Sequence, residues 1–560
     1  MGSLNTGLGA MRLPKIKLDT TLAELYKRAS PKSANVRLGW LSCGVTSGIG
    51  LSPGFPRNSK YIYQDQAFIT TPQEDLRGDN VELQRSLAKK YLSLIAQRDA
   101  FISGNAPLIL FNTGQTPEQD DHDRREAETT LSVLDPTQQP ELIFCPGPSK
   151  IPMEEHGIDR LEYKIVLDDL ESYPLTHSLE THWFLNSKAA LARSGLPTPK
   201  AEIIEIEGYP PPAGSCCSIC ASSHRNSDLP FIPHDCTGPR GRWLTSQTSR
   251  ILSAIHSRPV PFVVKTQQAF GGAGTWLVPD AEQKSRLLVD LSGKASPDPD
   301  SDSSKESKDH GHGILRKLLS QLTPANAYLA PANILLTDLV PDPVGDYGLT
   351  FVVTESGGKP IFLAAAEQMI AHHSPGTPTP TSENSDGDDS NQGSSSKSGG
   401  SADHSAWVGS TIRYARQDEL HQRFAALIEQ IAAWVASKGY VGPVGADVLE
   451  TKDGKCYVVD LNVRTSGSVS LPLLRGHFWG ERGLGCASSF SMTVKEGGRK
   501  GFIERWKKEF EEGKMLILSW YEDVEGGGES VADVVVGAED DARLAELMGR
   551  VREGTEEVTF

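Results

Sequence analysis

The chain has 560 residues, a formal net charge of −16 at pH 7 and a hydrophobic fraction of 38%. It contains no run of about 18 apolar residues, which excludes an ordinary membrane-spanning helix, and its length predicts several domains. A surface this acidic repels phosphate backbones, so we expect no nucleic-acid partner, and any bound anion would need local cations or a metal ion.

Residues 1–33 are polar and mixed, and we predict an N-terminal arm with a short helix at 22–28. The opening Met1–Thr6 matches the pattern for N-myristoylation of Gly2, with an unmodified, disordered start as the alternative interpretation. No secretory signal is visible, and eight cysteines in a chain of this length do not form a disulfide framework. These features favour a reducing, cytoplasmic setting.

Strands alternate with helices from 34 to 165, which predicts a parallel α/β domain because helical crossovers join parallel strands. Residues 82–98 carry apolar side chains at helical spacing. Short apolar runs that end in turn signals predict strands at 36–43, 108–111 and 142–145.

A larger domain of helices and strands is predicted at 166–475, followed by a C-terminal α/β region at 476–560. In the larger domain, helices are predicted at 179–194, 246–256 and 420–438. Strands are predicted there at 201–206, 262–265, 275–278, 334–340, 349–355 and 360–367. Three inserts are predicted to be flexible, at 208–244, 293–312 and 374–405. The first is rich in Pro, Gly, Ser and Cys, and the other two cannot bury enough apolar area to offset the entropy of ordering.

A lysine ends the predicted strand 262–265, and a glycine-rich loop follows it. Lys265 supplies a positive charge, while Gly271, Gly272 and Gly274 leave backbone N–H groups bare, which suits the phosphates of a nucleotide. Glycine-rich turns after strands are common, so this stretch does not by itself indicate a nucleotide site.

Two acids face each other on a predicted hairpin of residues 445–450 and 456–461. Asp447 and Asp460 lie on its two strands, and Asn462 and Arg464 continue the face of Asp460 because side chains alternate along a strand. Carboxylate and amide oxygens suit Mg²⁺, and an adjacent arginine suits a phosphoryl group in transfer. The alternative interpretation is an exposed polar face on an edge strand.

The order along the chain of Lys265 with its glycine-rich loop, then Asp447, then Asp460 with Asn462 and Arg464, resembles that of the ATP-grasp superfamily. This superfamily includes biotin carboxylases, carbamoyl phosphate synthetases and D-alanine–D-alanine ligases. The resemblance spans roughly 175–475. The region before it resembles a pre-ATP-grasp domain. The overall layout is similar to fungal ATP-grasp proteins and to peptide ligases of the pheganomycin-synthase kind, which implies specialised metabolism. The resemblance implies ATP and Mg²⁺ as cofactors.

The resemblance also implies a role for single residues. The ATP phosphates would be held by two lysines and covered by a mobile glycine loop, which are Lys188, Lys265, Gly271, Gly272 and Gly274. The metal would be held by Asp447, Asp460 and Asn462, with Arg464 beside the transferred phosphate.

This sequence departs from the family pattern at two places. The adenine-binding segment of the family carries an acid after an apolar strand, and here Asp338 would replace that acid, or Leu339 would offer only backbone groups. Family metal sites often use Glu where this chain has Asp447 and Asp460. Asp is one methylene shorter, which shifts the metal by about 1 Å but keeps the charge.

The resemblance implies an ATP-dependent ligase that phosphorylates a small-molecule carboxylate and joins the acyl phosphate to an amine. A small-molecule kinase of the same fold and a non-catalytic ATP-binding scaffold are the alternatives. Beyond the acids, Ser466, Arg475 and His477 are candidates for holding the substrate, since a cation there would clamp a carboxylate. Surface charges on a helix cap are the alternative interpretation.

Cysteines and histidines cluster in the insert at 208–244. By spacing, Zn²⁺ would be held by Cys217, Cys220, His224 and Cys236. The spacing fits no standard zinc finger, and Cys216 is surplus to this set. A flexible insert with free thiols is the alternative.

Overall fold

A computed structural model describes most of the chain. The described residues are 13–31, 35–44, 46–65, 68–69, 79–114, 116–225, 231–269, 272–293, 313–355, 358–373, 404–494, 497–524, 530–553 and 555–557. Gly2, Gly271 and nearly all of the predicted inserts at 293–312 and 374–405 lie outside them, so the predictions for these residues stay predictions.

A four-stranded parallel sheet forms the centre of the N-terminal region. In spatial order β3-β2-β1-β4, its strands are β1 (Leu38–Leu41), β2 (Pro107–Phe111), β3 (Glu141–Cys145) and β4 (Arg160–Tyr163). The helices of this region are α1 (Leu22–Ala29), α2 (Asp79–Ser103) and α3 (Pro117–Leu131). Leu108 and Ile109, neighbours that face opposite sides of β2, are both fully buried, as expected for a parallel sheet covered on both faces.

The larger domain contains two antiparallel lobes. One lobe has the strand order β7-β6-β8-β5, made of β5 (Ala201–Ile204), β6 (Phe262–Thr266), β7 (Thr275–Val278) and β8 (Ile334–Asp338). The other has the order β13-β12-β9-β10-β11, made of β9 (Pro343–Val353), β10 (Ile361–His373), β11 (His404–Arg413), β12 (Gly442–Thr451) and β13 (Cys456–Asn462). A single residue pair, His404 with Trp276, joins β11 to β7.

Seven helices of the described residues accompany these lobes. They are α4 (Leu179–Leu185), α5 (Lys188–Ala192), α6 (Ser218–Arg225), α7 (Pro239–Ser257), α8 (Ala281–Ser292), α9 (Ile314–Ser320) and α10 (Gln417–Ala436). Separate apolar cores lie under the two lobes: Phe262, Val264 and Leu336 belong to one, and Phe351 and Phe424 to the other.

The C-terminal region extends the second lobe, because β14 pairs with β11 and β16 pairs with β14 and β15. Its elements are α11 (Ser470–Leu473), β14 (Cys486–Val494), α12 (Gly498–Arg505), α13 (Lys507–Glu511), β15 (Met515–Glu522), β16 (Ser530–Ala538), α14 (Asp541–Arg552) and β17 (Thr555–Glu557). Short 3₁₀ helices lie at Pro136–Gln138, Pro148–Lys150, Leu170–Ser172, Ala213–Ser215, Ala327–Leu329 and Tyr414–Arg416, with a π-helical turn at Gly476–Gly480.

Helix α2 connects the N-terminal and C-terminal regions. The Gln97 side chain donates to the carbonyl of Trp520 at 2.8 Å and accepts from its N–H at 3.0 Å. Both partners are buried, so this amide satisfies two backbone groups that water does not reach.

The predicted α/β class, with a parallel sheet before a mixed domain, is confirmed. Three local expectations differ from the structure. The segment predicted as an arm is packed from Leu13 onward, with Ile16, Leu18 and Leu25 in a buried core. The helix predicted at 179–194 is divided into α4 and α5, because Ser187 caps α5 with its hydroxyl. The insert at 208–244 contains α6 and the first turns of α7.

No helix in the part of the chain that the structure describes has the length and apolarity that crossing a membrane requires. The domain boundaries given above stay predictions.

Glu162 of β4 is a buried carboxylate, 5% exposed. The Thr176 hydroxyl donates to it at 2.5 Å, and the His177 ring lies 3.8 Å away. Burial raises the pKa of Glu162 from 4.5 to about 7. The folded state therefore holds this proton more tightly than the unfolded state does.

We expect Glu162→Gln to stabilise the protein more at pH 8 than at pH 5. The raised pKa means that the wild type loses stability as the pH rises through 7, whereas the amide does not ionise. The difference in unfolding free energy between variant and wild type should grow by about 2 kcal/mol between these pH values, measured by urea unfolding. The exposed Glu154→Gln is the control. An equal difference at both pH values would contradict the burial effect.

Candidate functional site

The hairpin of β12 and β13 brings two carboxylates opposite each other. Asp447 pairs with Asp460 and Gly445 with Asn462 across the two strands, and a β-bulge follows Asp447. The predicted hairpin is thus present, with its turn at Gly454 in the left-handed region at φ 76°. Side chains at paired positions lie on one face of a sheet, so both acids point to the same side.

That side faces a cavity of about 270 Å³ between the two lobes. Among the described residues, the charged side chains that line it are Arg98, Lys164, Lys265, Asp346, Asp447, Asp460 and Arg464. The loop after β6 borders the same cavity through Ala269 and Gly272. Segments near 98, 164, 265, 346 and 460 therefore meet around one space.

Lys188 bonds to the hairpin from a helix start. It is the first residue of α5, it is 7% exposed, and its Nζ lies 2.5 Å from Oδ1 of Asp460. The loop after β6 fixes this helix start, since the Lys188 N–H donates to the Gln267 carbonyl at 3.2 Å and the Ala189 N–H donates to the Gln267 side chain at 3.1 Å. The segment that follows Lys265 thus holds the helix start that carries Lys188.

Lys265 reaches the hairpin from β6. Its Nζ donates to the carbonyl of Val459 at 2.7 Å, next to Asp460. Burial lowers the pKa of Lys265 to about 8, with attraction to Asp460 opposing and repulsion from Lys188 adding to the effect. Two lysines from remote parts of the chain therefore reach neighbouring residues of β13, Lys188 at the Asp460 carboxylate and Lys265 at the Val459 carbonyl.

The acids of the cavity differ in how far nearby cations offset their negative charge. Burial raises the pKa of Asp447 to about 7, and repulsion from Asp460 and Asp346 adds to it. Burial also raises the pKa of Asp346 to about 6. Burial opposes ionisation of Asp460 as well, but the charges of Lys188 and Lys265 outweigh it and hold the pKa of Asp460 below its usual value. Asp346 and Asp447 thus form a carboxylate pair that favours a further cation.

Arg464 is held in place by two amides. Its guanidinium donates to Asn186 at 2.7 Å and to Asn462 at 2.6 Å. The same Asn186 oxygen accepts from the N–H of Val463 at 2.9 Å, so the interruption between α4 and α5 supplies the residue that orients this arginine. Burial lowers the pKa of Arg464 from its usual value, with attraction to Asp460 opposing.

The donor set fits a hard divalent cation. Asp447 and Asp460 offer carboxylate oxygens on facing strands, and Asp346 adds a third carboxylate on the same cavity wall. The Asn462 amide turns its oxygen to Arg464, and its nitrogen lies 3.5 Å from Asp447. Ligation through that oxygen would require sharing it with Arg464, because each amide oxygen has two lone pairs.

Sequence reasoning missed several residues of the cavity. Gln368 donates to Asp447 at 2.9 Å and accepts from Trp407 at 2.6 Å and from Ser410 at 2.8 Å. Asp346 lies in β9, which pairs with β12. In the sequence, Asp346 is an acid shortly before the strand predicted at 349–355, and an acid on the surface would give the same pattern.

The glycine loop borders the cavity with constrained backbone. Gly272 has φ 85° and Gly274 has φ 68°, which only glycine adopts at low cost. A Cβ on Gly274 would lie 2.2 Å from the Thr266 hydroxyl, so this turn packs directly against the end of β6. Gly271 lies outside the described residues.

The remaining predicted residues differ in whether they line the cavity. Ser466 lines the cavity. Asp338 ends β8, is mostly exposed, and pairs with Arg258 at 2.7 Å. Asp338 and Leu339 are not among the described residues that line the cavity.

Arg475 and His477 do not line it either, as far as the described residues extend. Arg475 is exposed, and His477 is buried with its Nε2 at 2.9 Å from the Gly513 carbonyl. Burial lowers the pKa of His477 to about 4. The structure thus gives His477 a packing environment away from the acids.

Cations of the N-terminal region also line the cavity. Lys164 follows β4 and bonds to Asp99 at 2.9 Å, and Arg98 of α2 lies 3.6 Å from Asp533. Burial lowers the pKa of Lys164 to about 8, and the nearby charges of Arg98 and Arg464 add to this. Cations of the N-terminal region and acids of the hairpin therefore line the same cavity.

Comparisons with known proteins give structural matches alone. No protein-family model and no curated protein matches the chain. The chain is similar to an ADP complex of N5-carboxyaminoimidazole ribonucleotide synthetase (TM-score 0.42, 10% identity, covering 97% of this chain and 98% of that one). It is also similar to an L-amino acid ligase from Bacillus licheniformis (TM-score 0.40, 10% identity, 94% and 99%).

A third similar structure is the phosphoribosylamine–glycine ligase from Thermotoga maritima (TM-score 0.40, 10% identity, 94% and 98%). Scores and identities this low establish no shared activity, and the function proposed below is based on the geometry of the cavity.

We expect Lys188→Met to weaken binding of ATP. Removing one charge-assisted bond to phosphate costs about 1.5–3 kcal/mol, which corresponds to roughly a 10- to 100-fold higher Kd, measured by calorimetry with Mg²⁺ present. Lys455→Met is the control, since Lys455 is an exposed lysine on the same hairpin that pairs with Asp453. Equal affinities of wild type and Lys188→Met for ATP would contradict a contact between this lysine and the nucleotide.

Gly274→Ala should also weaken ATP binding, because a Cβ meets the Thr266 hydroxyl and strains the turn. Gly454→Ala is the matched control: it has a similar φ of 76° but nothing within 4 Å of the added carbon. We expect about 1 kcal/mol of backbone cost in stability for both and a higher Kd for ATP in Gly274→Ala only. Equal affinities for ATP would show that the turn does not contribute to the site.

Proposed function

We propose that this chain is an ATP-grasp enzyme that activates a small-molecule carboxylate with ATP and joins it to an amine. One observation carries the proposal: Lys188 bonds to Asp460 and Lys265 bonds to the neighbouring Val459 carbonyl, although the lysines and the hairpin lie in remote segments. Lys265, Asp447 and Asp460 line one cavity. Basic groups suit the phosphates of a nucleotide, and the acids suit the cation that accompanies it.

In the proposed complex, the phosphates lie between the lysines and the glycine loop. Lys188 and Lys265 would turn from Asp460 and Val459 toward phosphate oxygens, while Gly272 and Gly274 would offer backbone N–H groups. The adenine would lie by the end of β8, where Asp338 or the backbone of Leu339 would bind it. Mg²⁺, held by Asp447, Asp460 and Asn462, would offset the charge of the phosphates.

The proposed reaction has two steps. A carboxylate oxygen attacks the γ-phosphorus, a new P–O bond forms, and the bond to the leaving ADP breaks. The amine then attacks the acyl carbon, a C–N bond forms, inorganic phosphate leaves, and the amine proton passes to solvent. Arg464 is oriented by Asn186 and Asn462 to stabilise charge on the transferred phosphoryl group.

The carboxylate substrate would bind beside the cations of the N-terminal region. Arg98 and Lys164 line the cavity, as do Ser466 and Ser468. Each cation already has a buried acid as partner, so a substrate carboxylate would join an existing network of charges. The N-terminal region would in this way contribute to recognition of the substrate, and the resemblance to peptide ligases makes amino acids or small peptides the substrates that we propose.

Two alternatives make different use of the same cavity. A small-molecule kinase would need only ATP and one substrate, and a non-catalytic scaffold would bind ATP without turnover. The two amides that orient Arg464 favour an enzyme, because a protein that only binds ATP has little use for a fixed arginine beside the acids.

An assay of ADP and phosphate release over pools of carboxylates and amines tests the proposal. We expect release that depends on both pools, and mass spectrometry should find the joined product in a metabolite extract supplied with ATP. Asp460→Ala should abolish release, whereas Asp453→Ala, an exposed acid in the turn of the same hairpin, should not. Release with one substrate would indicate a kinase, and ATP binding without release would indicate a scaffold.

A further inference from the structure

Four cysteines converge at one point of the insert between β5 and α7. The sulfur atoms of Cys216, Cys217, Cys220 and Cys236 all lie within 4.8 Å of one another. Cys236 is central, at 3.3 Å from Cys220, 3.6 Å from Cys216 and 3.9 Å from Cys217. This cluster belongs to no part of the cavity described above.

The separations match those of sulfurs around one tetrahedral metal ion. Zinc–sulfur bonds of about 2.3 Å place the ligand sulfurs about 3.8 Å apart. A disulfide would instead place two sulfurs about 2.05 Å apart and leave the other two unexplained. All eight cysteines are free thiols in the structure.

The surrounding backbone supports thiolates at this point. The N–H of Cys220 donates to the sulfur of Cys217 at 3.4 Å, and the N–H of Arg240 donates to the sulfur of Cys216 at 3.4 Å. The second donor lies in the first turn of α7, a 19-residue helix whose amino end carries partial positive charge. Such bonds orient metal ligands and stabilise their negative charge.

Two glycines allow the close approach of chain and cluster. A Cβ on Gly238 would lie 2.7 Å from the Cys216 sulfur, and one on Gly241 would lie 1.6 Å from the Cys236 carbonyl oxygen. Both positions therefore exclude larger side chains. The start of α7 therefore packs directly against Cys216 and Cys236.

We propose that Cys216, Cys217, Cys220 and Cys236 bind one structural zinc ion. Four thiolates in tetrahedral arrangement select zinc among the metals available to a reduced protein, and a site with four protein ligands leaves no open position for catalysis. Metal binding releases the thiol protons to solvent as four Zn–S bonds form. The set predicted from spacing contained Cys217, Cys220, His224 and Cys236. In the proposed site Cys216 is the fourth ligand beside the other three cysteines, and the side chain of His224 lies outside the described part of the chain.

The zinc would fasten the insert to the lobe that carries Lys265. Cys220, Ile232 and Cys236 belong to the same buried core as Phe262 and Leu336 of β6 and β8. The insert contributes few apolar side chains of its own, so a metal ion would supply stability that burial does not. The site would act on the stability of this lobe and not on the reaction.

Metal analysis of the full chain, purified without added metal and with a reductant present, tests the proposal. Elemental mass spectrometry should find one zinc per chain in the wild type and in Cys456→Ser, a half-buried cysteine far from the cluster in sequence. Cys220→Ser and Cys236→Ser should lose zinc. Cobalt exchanged for zinc should give the absorption bands of tetrahedral cobalt with four thiolates.

A second measurement on the wild type does not depend on the folding of variants. Alkylation mapped by mass spectrometry should leave the four cysteines unmodified until a chelator is added, after which all four react. Absence of zinc, iron in its place, a disulfide among the four, or alkylation that a chelator does not change would each overturn the proposal. The outcome is independent of ATP turnover, so it can fail while the proposed function stands.

Discussion

The contact between Lys188 and Asp460 is the interaction on which the candidate site depends. It joins the start of a short helix to the far strand of a hairpin, 272 residues later in the chain. The lysine is buried, and its charge would be costly there without the acid. The pair keeps a cation beside the carboxylates, and in the proposed complex phosphate and a metal ion would take the place of each partner.

The interruption between α4 and α5 serves the same centre. Ser187 caps the second helix, Asn186 ends the first, and the Asn186 side chain orients both Arg464 and the backbone that follows β13. A local break in secondary structure thus fixes the arginine on the opposite lobe, and the two lobes are held in register by side chains at the cavity and one backbone pair between β7 and β11.

Much of the fold and part of the site could be predicted from the sequence. The hairpin followed from alternating apolar residues around an Asp-Gly turn, and the facing of Asp447 and Asp460 followed from the period of a strand. Asp346, Gln368 and Trp407 could not be found this way, because they meet through the pairing of β9 with β12 and of β10 with β11, and the strands of each pair are remote in sequence. Strand β11 also follows a long polar stretch, which concealed its start.

The sequence by itself determined which residues carry charge, where strands and helices alternate, and which acids share one face of a hairpin, since these depend on neighbours within a few positions. Only the tertiary structure decided that Lys188 and Lys265 meet at Asp460 and Val459, that Arg98 and Lys164 of the N-terminal region line the cavity, and that Cys216 joins three other cysteines. These contacts depend on distances across the folded chain, and spacing along the sequence does not encode such distances.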